Sequence, residues 1–281
     1  MLTQVESHLR SDRFPHIWCP GCGNGIVLSA LVRAVEKLDL NPDKTVVVSG
    51  IGCSSRAAGY LDFNTLHTTH GRALAFATGI KLARPELAVF VLMGDGDATA
   101  IGGNHFIHAA RRNIDLTAII FNNSIYGMTG GQYSPLTPSG KRATTAPYGN
   151  IERSFDIAEL AKGAGATYVA RATTYHATML EKLIVAGANN KGFSVIEAVT
   201  ACPVGYGRRN KMGNGLKMLL WQKEHAVTRK QAEKMSPAEL QDKIIIGELY
   251  KGEAPEYTAM YEQVIARARG RAAETTRNGS D

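Results

Sequence analysis

The sequence predicts an α/β fold: a mostly parallel sheet flanked by helices, with a C-terminal helical extension. Three observations predict it. Short apolar runs recur between helix-length stretches, which is how strands buried on both faces of a parallel sheet read. Those runs end in glycine, acid, amide or cysteine, at the strand edge where open parallel sheets bind ligands. The composition is that of an ordinary globular chain, 44% hydrophobic and 20% charged over 281 residues. That length suffices for one large domain with a sizeable core.

In chain order, an N-terminal arm reaches the knot Cys19-Pro20-Gly21-Cys22-Gly23. A helix is expected over 25–38, where Ile26, Leu28, Leu31, Val32 and Val35 are apolar. A buried strand over 45–49 ends in the turn Gly50-Ile51-Gly52-Cys53-Ser54-Ser55-Arg56. An alanine-rich helix over 72–83 follows His70-Gly71 and stops before Pro85. Next come a strand over 87–93, the turn Gly94-Asp95-Gly96-Asp97, a helix over 103–112 and a strand over 116–121 ending at Asn122-Asn123. This is a βαβ unit. Residues 129–150 read as a Gly/Pro/Ser/Thr loop, and a loop that long in a compact domain is usually functional.

Asp156 and Glu159 resemble a capping box for a short helix over 157–163. A strand over 167–171, a helix over 175–188 and a strand over 193–199 complete the unit and deliver Cys202-Pro203. Residues 1–210 therefore form the main α/β domain. Residues 211–269 turn charged and read as a helical extension, with Ser236-Pro237-Ala238-Glu239 a helix start and a last helix over 255–269. Residues 270–281 read as a polar, disordered tail. No internal repeat is present.

The balance of 32 Lys+Arg against 25 Asp+Glu, +7 in all, suits anionic small molecules or an acidic protein partner. The basic residues form no long cluster and no nucleic-acid motif appears, so nucleic acid is not expected. No apolar run reaches 18 residues, so no transmembrane helix is expected. The first thirty residues hold Glu6, Asp12 and two histidines without an apolar leader core, so a cytoplasmic protein is expected.

The turn Gly94-Asp95-Gly96-Asp97 is not a dinucleotide fingerprint, because Thr99 stands where a third glycine belongs. Carboxylates there would repel a pyrophosphate unless a divalent cation lay between. Mg²⁺ takes oxygen ligands shared between protein and phosphate, and Asp95 with an asparagine from the next strand end can supply them. The four cysteines are one C-x₂-C pair, Cys19 and Cys22, and two singles, Cys53 and Cys202. Disulfides do not suit a chain without an export signal. Buried free thiols, zinc and an iron–sulfur cluster remain open on cysteine count alone. Zinc modules usually draw two short-spaced pairs from one small piece, whereas these cysteines come from separate strand-end turns. A final cysteine followed by proline is common in ferredoxin-type runs.

A GDG turn answered, 28 residues after its aspartate, by Asn123 resembles the diphosphate-binding half of thiamine diphosphate enzymes. The longer string FNNSIYGMTGGQYSPLTP is similar to the β subunits of 2-oxoacid:ferredoxin oxidoreductases, most closely the 2-oxoglutarate members. The similarity runs from about Trp18 to Lys211 and includes all four cysteines.

The resemblance implies a thiamine diphosphate-binding fold and a CoA-acylating 2-oxoacid:ferredoxin oxidoreductase. In that family 2-oxoglutarate and coenzyme A give succinyl-coenzyme A and CO₂, reversibly, with electrons passed through a 4Fe–4S cluster to ferredoxin. It implies Mg²⁺ on Asp95, the Asn123 side chain and the Ile125 carbonyl, and one 4Fe–4S cluster on Cys19, Cys22, Cys53 and Cys202. Gly96, Asp97 and His70 are expected on the diphosphate, His70 also as a catalytic group, and Ile51, Gly52, Cys53, Ser54, Gly127 and Met128 along the thiamine.

Arg56, on the turn of Cys53, is the candidate for gripping a substrate carboxylate. Asn122 is expected to be structural, and His105 and His108 to be packing or surface residues. Family members often carry lysine in T-K-G-Q, where this chain has Gly130 in Thr129-Gly130-Gly131-Gln132. The other half of a thiamine site, with its activating glutamate, is expected from an α subunit in an α₂β₂ assembly. A pyruvate or broad-range 2-oxoacid enzyme is the rival within the class. A non-catalytic, zinc-stabilised subunit that holds a nucleotide diphosphate is the rival from another class.

Overall fold

The structure is a computed structural model that describes residues 6–278, with side chains through residue 270. Eight strands form one sheet in the order β2-β1-β3-β4-β6-β5-β8-β7. They are β1 (Thr45–Ser49), β2 (Asn64–His67), β3 (Ala88–Gly94), β4 (Thr117–Asn122), β5 (Tyr168–Thr173), β6 (Ser194–Val199), β7 (Ala226–Thr228) and β8 (Ile244–Lys251). All neighbours are parallel except β5 and β8, which run antiparallel with a bulge at Val169/Ala170. β1 lies between β2 and β3, so the chain reverses its direction of travel across the sheet there. The crevice at that switch point is where such sheets take ligands.

Side chains on the strands alternate between two cores. Val47, Phe90, Leu92, Ile119 and Phe121 pack on one face against α1 (Asn24–Lys37) and the helix Ala177–Ala188. Val46, Val48, Val89, Val91, Met93, Ala118 and Ile120 pack on the other against α2 (Ala73–Ala83), α3 (Gly103–Arg111) and α4 (Ile157–Ala164). Each large side chain so buried contributes roughly 1.5–3 kcal/mol. The small residues Ala73, Ala77, Ala109 and Ala110 let α2 and α3 lie close to the strands.

Four expectations are corrected. Residues 211–269 are not a purely helical extension: β7 and β8 interrupt the helices, and β8 joins the main sheet beside β5. The reason is local, since Ile244-Ile245-Ile246 is a β-branched run set in a charged neighbourhood. The last helix runs Tyr257–Asn278 instead of giving way to a disordered tail at 270; Ala272, Ala273 and Glu274 are good helix formers, and 279–281 lie outside the described residues. Asp156 caps α4 by accepting from the Ala158 and Glu159 N–H groups, but Glu159 does not reciprocate; Arg171 takes the Asp156 carboxylate instead. β2 was not expected, because Asn64-Thr65-Leu66-His67 is an edge strand with no apolar run. Ser236 and Glu239 do form the reciprocal capping box, with Pro237 in the first turn.

Candidate active site

Three strand ends meet at the switch point. The turns after β1 (Ile51 to Ser54), β3 (Gly94 to Asp97) and β4 (Asn123 to Thr129) line one cleft of about 60 Å³, joined by His70. Twelve residues expected in the cofactor and Mg²⁺ sites thus come together: Ile51, Gly52, Cys53, Ser54, His70, Asp95, Gly96, Asp97, Asn123, Ile125, Gly127 and Met128.

Asp95 is 2% exposed, and burial pushes its carboxyl up to about 7 against the Ser134 hydroxyl and the Gly96 backbone, which favour the charged form. Among the described residues no lysine or arginine pairs with it. Asn123 is nearly as buried, and its side-chain oxygen accepts from the Ile125 N–H at 3.2 Å. Carboxylate, amide oxygen and carbonyl are all hard donors, the set a divalent cation sharing phosphate oxygens requires.

Asp97 faces inward. Its carboxylate accepts from the Gly71 N–H at 2.7 Å and pairs with His70 Nδ1 at 2.5 Å. Burial raises its pKa, opposed by the Gly71 N–H and His70. One of its oxygens is thereby engaged by two groups of the loop before α2. Gly50 makes room for the carboxylate: a Cβ there would lie 1.8 Å from Asp97 Oδ2. A turn of π-type, Asp97–Ile101, precedes α3; such turns occur often at functional sites.

A second cavity of about 380 Å³ abuts the first. Cys19 and Cys22 reach it from the loop before α1, Cys53 from the β1 turn and Cys202 from the loop after β6. A Cβ on Gly127 would lie 3.6 Å from the sulfur of Cys202 and 3.7 Å from that of Cys53, so glycine leaves the space between them open. Trp18 Nε1 donates to the Cys53 carbonyl at 2.6 Å and fastens the N-terminal arm beside them. Burial pushes the Cys22 thiol up to about 12 and raises Cys53 and Cys202, with the other thiols adding to each shift. A cation bound among them would offset that cost, since a metal is held by thiolates. Among the described residues, no three Cys, His, Asp or Glu side chains converge at the spacing of a single ion.

The structure does not bring Arg56 into either cavity. The 3₁₀ turn Ser54–Tyr60 buries Ser54, Ser55, Ala57, Ala58 and Tyr60 and turns Arg56 out. It lines a separate cleft with Arg10, Arg13 and His67. Sequence reading missed Arg208 and Arg209, which line the cysteine cavity beside Gly130 and form no ion pair among the described residues. It missed Ser134 as well; position after Cys202-Pro203 was the only signal for the arginines, and none existed for the serine. Asn122 is structural as expected, donating to Glu197 at 2.7 Å. His105 and His108 lie half-buried on α3 and outside both cavities.

Comparison with known proteins places this geometry. Residues 50–198 match the family described as thiamine pyrophosphate enzyme, C-terminal TPP binding domain. The 2-oxoglutarate synthase subunit KorB of Methanocaldococcus jannaschii is 54% identical over 92% of this chain and 96% of its own. The KorB subunit of Archaeoglobus fulgidus is 64% identical over 72% of this chain and 76% of its own. Among solved structures, 2-oxoglutarate:ferredoxin oxidoreductase from Magnetococcus marinus, with 2-oxoglutarate, coenzyme A and succinyl-CoA bound, superposes with a TM-score of 0.82 at 33% identity. That match covers 96% of this chain and 91% of the other. A thiamine-binding match over half the chain, and identities above one half along almost all of it, agree with the two adjoining cavities: the chain belongs to the family of 2-oxoglutarate synthase KorB subunits, the β subunits of 2-oxoacid:ferredoxin oxidoreductases.

Proposed function

We propose that this chain is the thiamine- and cluster-bearing subunit of an enzyme that converts 2-oxoglutarate and coenzyme A to succinyl-coenzyme A and CO₂, reversibly, with ferredoxin as electron acceptor. One observation carries the reading. Cys53, Asn123, Gly127 and Met128 line both the acidic cleft and the cysteine cavity, so a cofactor held in one is a wall away from a cluster held in the other. The Magnetococcus enzyme, solved with 2-oxoglutarate, coenzyme A and succinyl-CoA, supports the same substrates here.

The residues fit the groups the reading needs. Asp95, Asn123 and the Ile125 carbonyl would hold Mg²⁺, whose charge offsets that of the buried Asp95. Thiamine diphosphate, when bound through that ion, supplies an electron sink for loss of CO₂. His70, its Nδ1 engaged by Asp97, keeps Nε2 for the diphosphate, and Ile51 to Ser54 with Gly127 and Met128 would bound the thiamine. The soft donors Cys19, Cys22, Cys53 and Cys202 suit a 4Fe–4S cluster. They stand around a cavity, whereas zinc draws its thiolates to about 2.3 Å from one point. Arg208 and Arg209 are the cations that face this cavity, so the grip on a substrate carboxylate passes to them from Arg56.

The acidic cleft, about 60 Å³, is far below the roughly 300–1,000 Å³ of a complete small-molecule site. An α subunit would supply the opposite wall and the activating glutamate, in an α₂β₂ enzyme. Tyr148 and Ile151, 97% and 94% exposed, suit such an interface. No helix among the described residues is long and apolar enough to cross a membrane.

The test is to express the chain with and without its α partner and assay coenzyme A-dependent reduction of ferredoxin by 2-oxoglutarate and by pyruvate. The complex is expected to prefer 2-oxoglutarate and the lone chain to be inactive. A preference for pyruvate would move the assignment to the rival substrate, and turnover by the lone chain would overturn the need for a partner.

A further inference from the structure

The 34 residues between β4 and α4 contain no further helix or ladder strand, yet Ser134 and Thr137 within them are 1% and 0% exposed. Buried hydroxyls in an irregular loop need partners, and theirs lie on two different strand-end turns. Ser134 Oγ donates to Asp95 Oδ2 at 2.5 Å. Thr137 Oγ1 donates to the Ser124 carbonyl at 2.6 Å.

Both bonds run toward the strand-end turn, because a carbonyl and an ionised carboxylate can only accept. Ser134 Oγ in turn accepts from the Leu136 N–H and Thr137 Oγ1 from the Ser134 N–H, so each hydroxyl is also held within its own loop. Behind them, Asn150 Nδ2 and Ser154 Oγ donate to the Thr137 carbonyl at 2.7 and 2.9 Å.

Ser124 is the residue worth holding. It sits between Asn123, whose side chain is one metal donor in the reading above, and Ile125, whose carbonyl is another. Its φ is +58°, a left-handed conformation that is unfavourable for a residue with a Cβ and persists only where its surroundings enforce it. Three bonds do so. Thr137 holds its carbonyl, and Asn122 Oδ1 accepts from both its N–H and its hydroxyl. Asn122 is itself anchored through Glu197 to Arg171.

We infer that Ser134 and Thr137 form a clamp that sets the Asp95 turn and the Asn123–Ile125 turn at the separation Mg²⁺ and the diphosphate need, without giving an atom to the ion. They are positioning residues. The inference rests on the reading of the acidic cleft as the Mg²⁺–thiamine diphosphate site.

The experiment uses the complete complex stripped of cofactor. Mg²⁺ is titrated at saturating thiamine diphosphate, binding is followed by calorimetry, and the thermal midpoint of each stripped variant is recorded. Ser134→Ala is expected to raise the Mg²⁺ concentration for half-saturation about tenfold, the effect of losing a hydrogen bond to a charged group. Ser134→Thr, which keeps a hydroxyl, is expected to recover most of it. Thr137→Val is expected to act in the same direction. The double variant should fall short of the product of the two, because both act on one ion. An unchanged Mg²⁺ requirement in Ser134→Ala overturns the clamp, whether or not its thermal midpoint falls. If the wild-type complex itself bound thiamine diphosphate without regard to Mg²⁺, the reading of the cleft would fail instead. The Ser134 pair decides the matter even where Thr137→Val fails to fold.

Discussion

The acidic cleft and the cysteine cavity share four wall residues and are built in opposite ways. In the cleft the oxygens offered as metal donors already have partners, Ser134 on Asp95 and the Ile125 N–H on Asn123, and the Gly71 N–H holds one oxygen of Asp97 while its other oxygen has none. In the cavity the thiols come from three separate loops, and what relates them is mutual repulsion of their charged forms. On the proposed function, the difference separates a site preset for its ion from one drawn together by it. An oxygen site for Mg²⁺ works when its geometry is preset, since that ion demands near-octahedral order. A thiolate site gains its order from metal–sulfur bonds, which also bear the cost of ionising buried thiols.

Removing one ligand from each site should expose the contrast. The largest effect is expected in the cavity, where Cys22→Ala should leave the anaerobic protein without stoichiometric iron and acid-labile sulfide, because no neighbouring side chain replaces the lost thiolate. Iron and sulfide near four per chain in that variant would show that Cys22 is not a ligand. In the cleft, Asp95→Asn should abolish Mg²⁺-dependent binding of thiamine diphosphate in a calorimetric titration while leaving the stripped protein folded. Here the sign of the pH effect can be worked out. Burial raises the folded-state pKa of Asp95 to about 7, above its unfolded value of about 3.9, so the stripped protein loses stability as pH rises from about 4 to 7. The asparagine variant escapes that loss and should melt no lower than wild type at pH 8. A clear drop in its melting temperature would mean the carboxylate stabilises the fold.

Smaller effects separate the two candidate grips on substrate. Arg209→Ala should raise KM for 2-oxoglutarate about tenfold, the loss of a charge-assisted hydrogen bond in a half-open site. Arg56→Ala, in its own cleft with Arg10 and Arg13, should leave KM unchanged. The reverse pattern would restore Arg56 to the site.

The smallest effect lies away from both cavities. Glu181, buried on the helix Ala177–Ala188, pairs with Arg33 at 2.7 Å and with Lys37, both on α1. Burial works to raise its carboxyl, but the two cations prevail and lower it, so this stapling is present above the unfolded pKa and lost as pH falls through the folded one. Glu181→Gln should cost about 1–2 kcal/mol in urea melts at pH 7 and less at pH 3, with no change in cofactor binding. An equal loss at both pH values would show that packing, not charge, is what the glutamate provides.

Five strands were legible because they are buried on both faces, so that Thr45–Ser49 or Thr117–Asn122 reads as an unbroken apolar run. β2 and β7 were not, being short edge strands, and β8 was hidden by its charged surroundings. The residues that line the two cavities were legible where they sit at the ends of those same strands, as Asp95, Asn123 and Cys53 do. Arg56 stands outside both cavities because a strand-end position fixes the backbone, while the 3₁₀ turn that follows decides where the side chain points. The bond from Ser134 to Asp95 spans 39 residues across a loop without periodicity, and no local rule pairs its ends.

If the two cavities adjoin as the cofactor and cluster sites of one enzyme, electrons from 2-oxoglutarate must pass between them. The anaerobic complex is mixed with 2-oxoglutarate and coenzyme A, frozen within one turnover, and examined by electron paramagnetic resonance. The expected signal is that of a reduced 4Fe–4S cluster; it depends on 2-oxoglutarate, disappears in Asp95→Asn for want of cofactor and disappears in Cys22→Ala for want of cluster. A complex that turns over 2-oxoglutarate while its cluster stays oxidised, or that carries stoichiometric zinc and no sulfide, would contradict this assignment of the cavities.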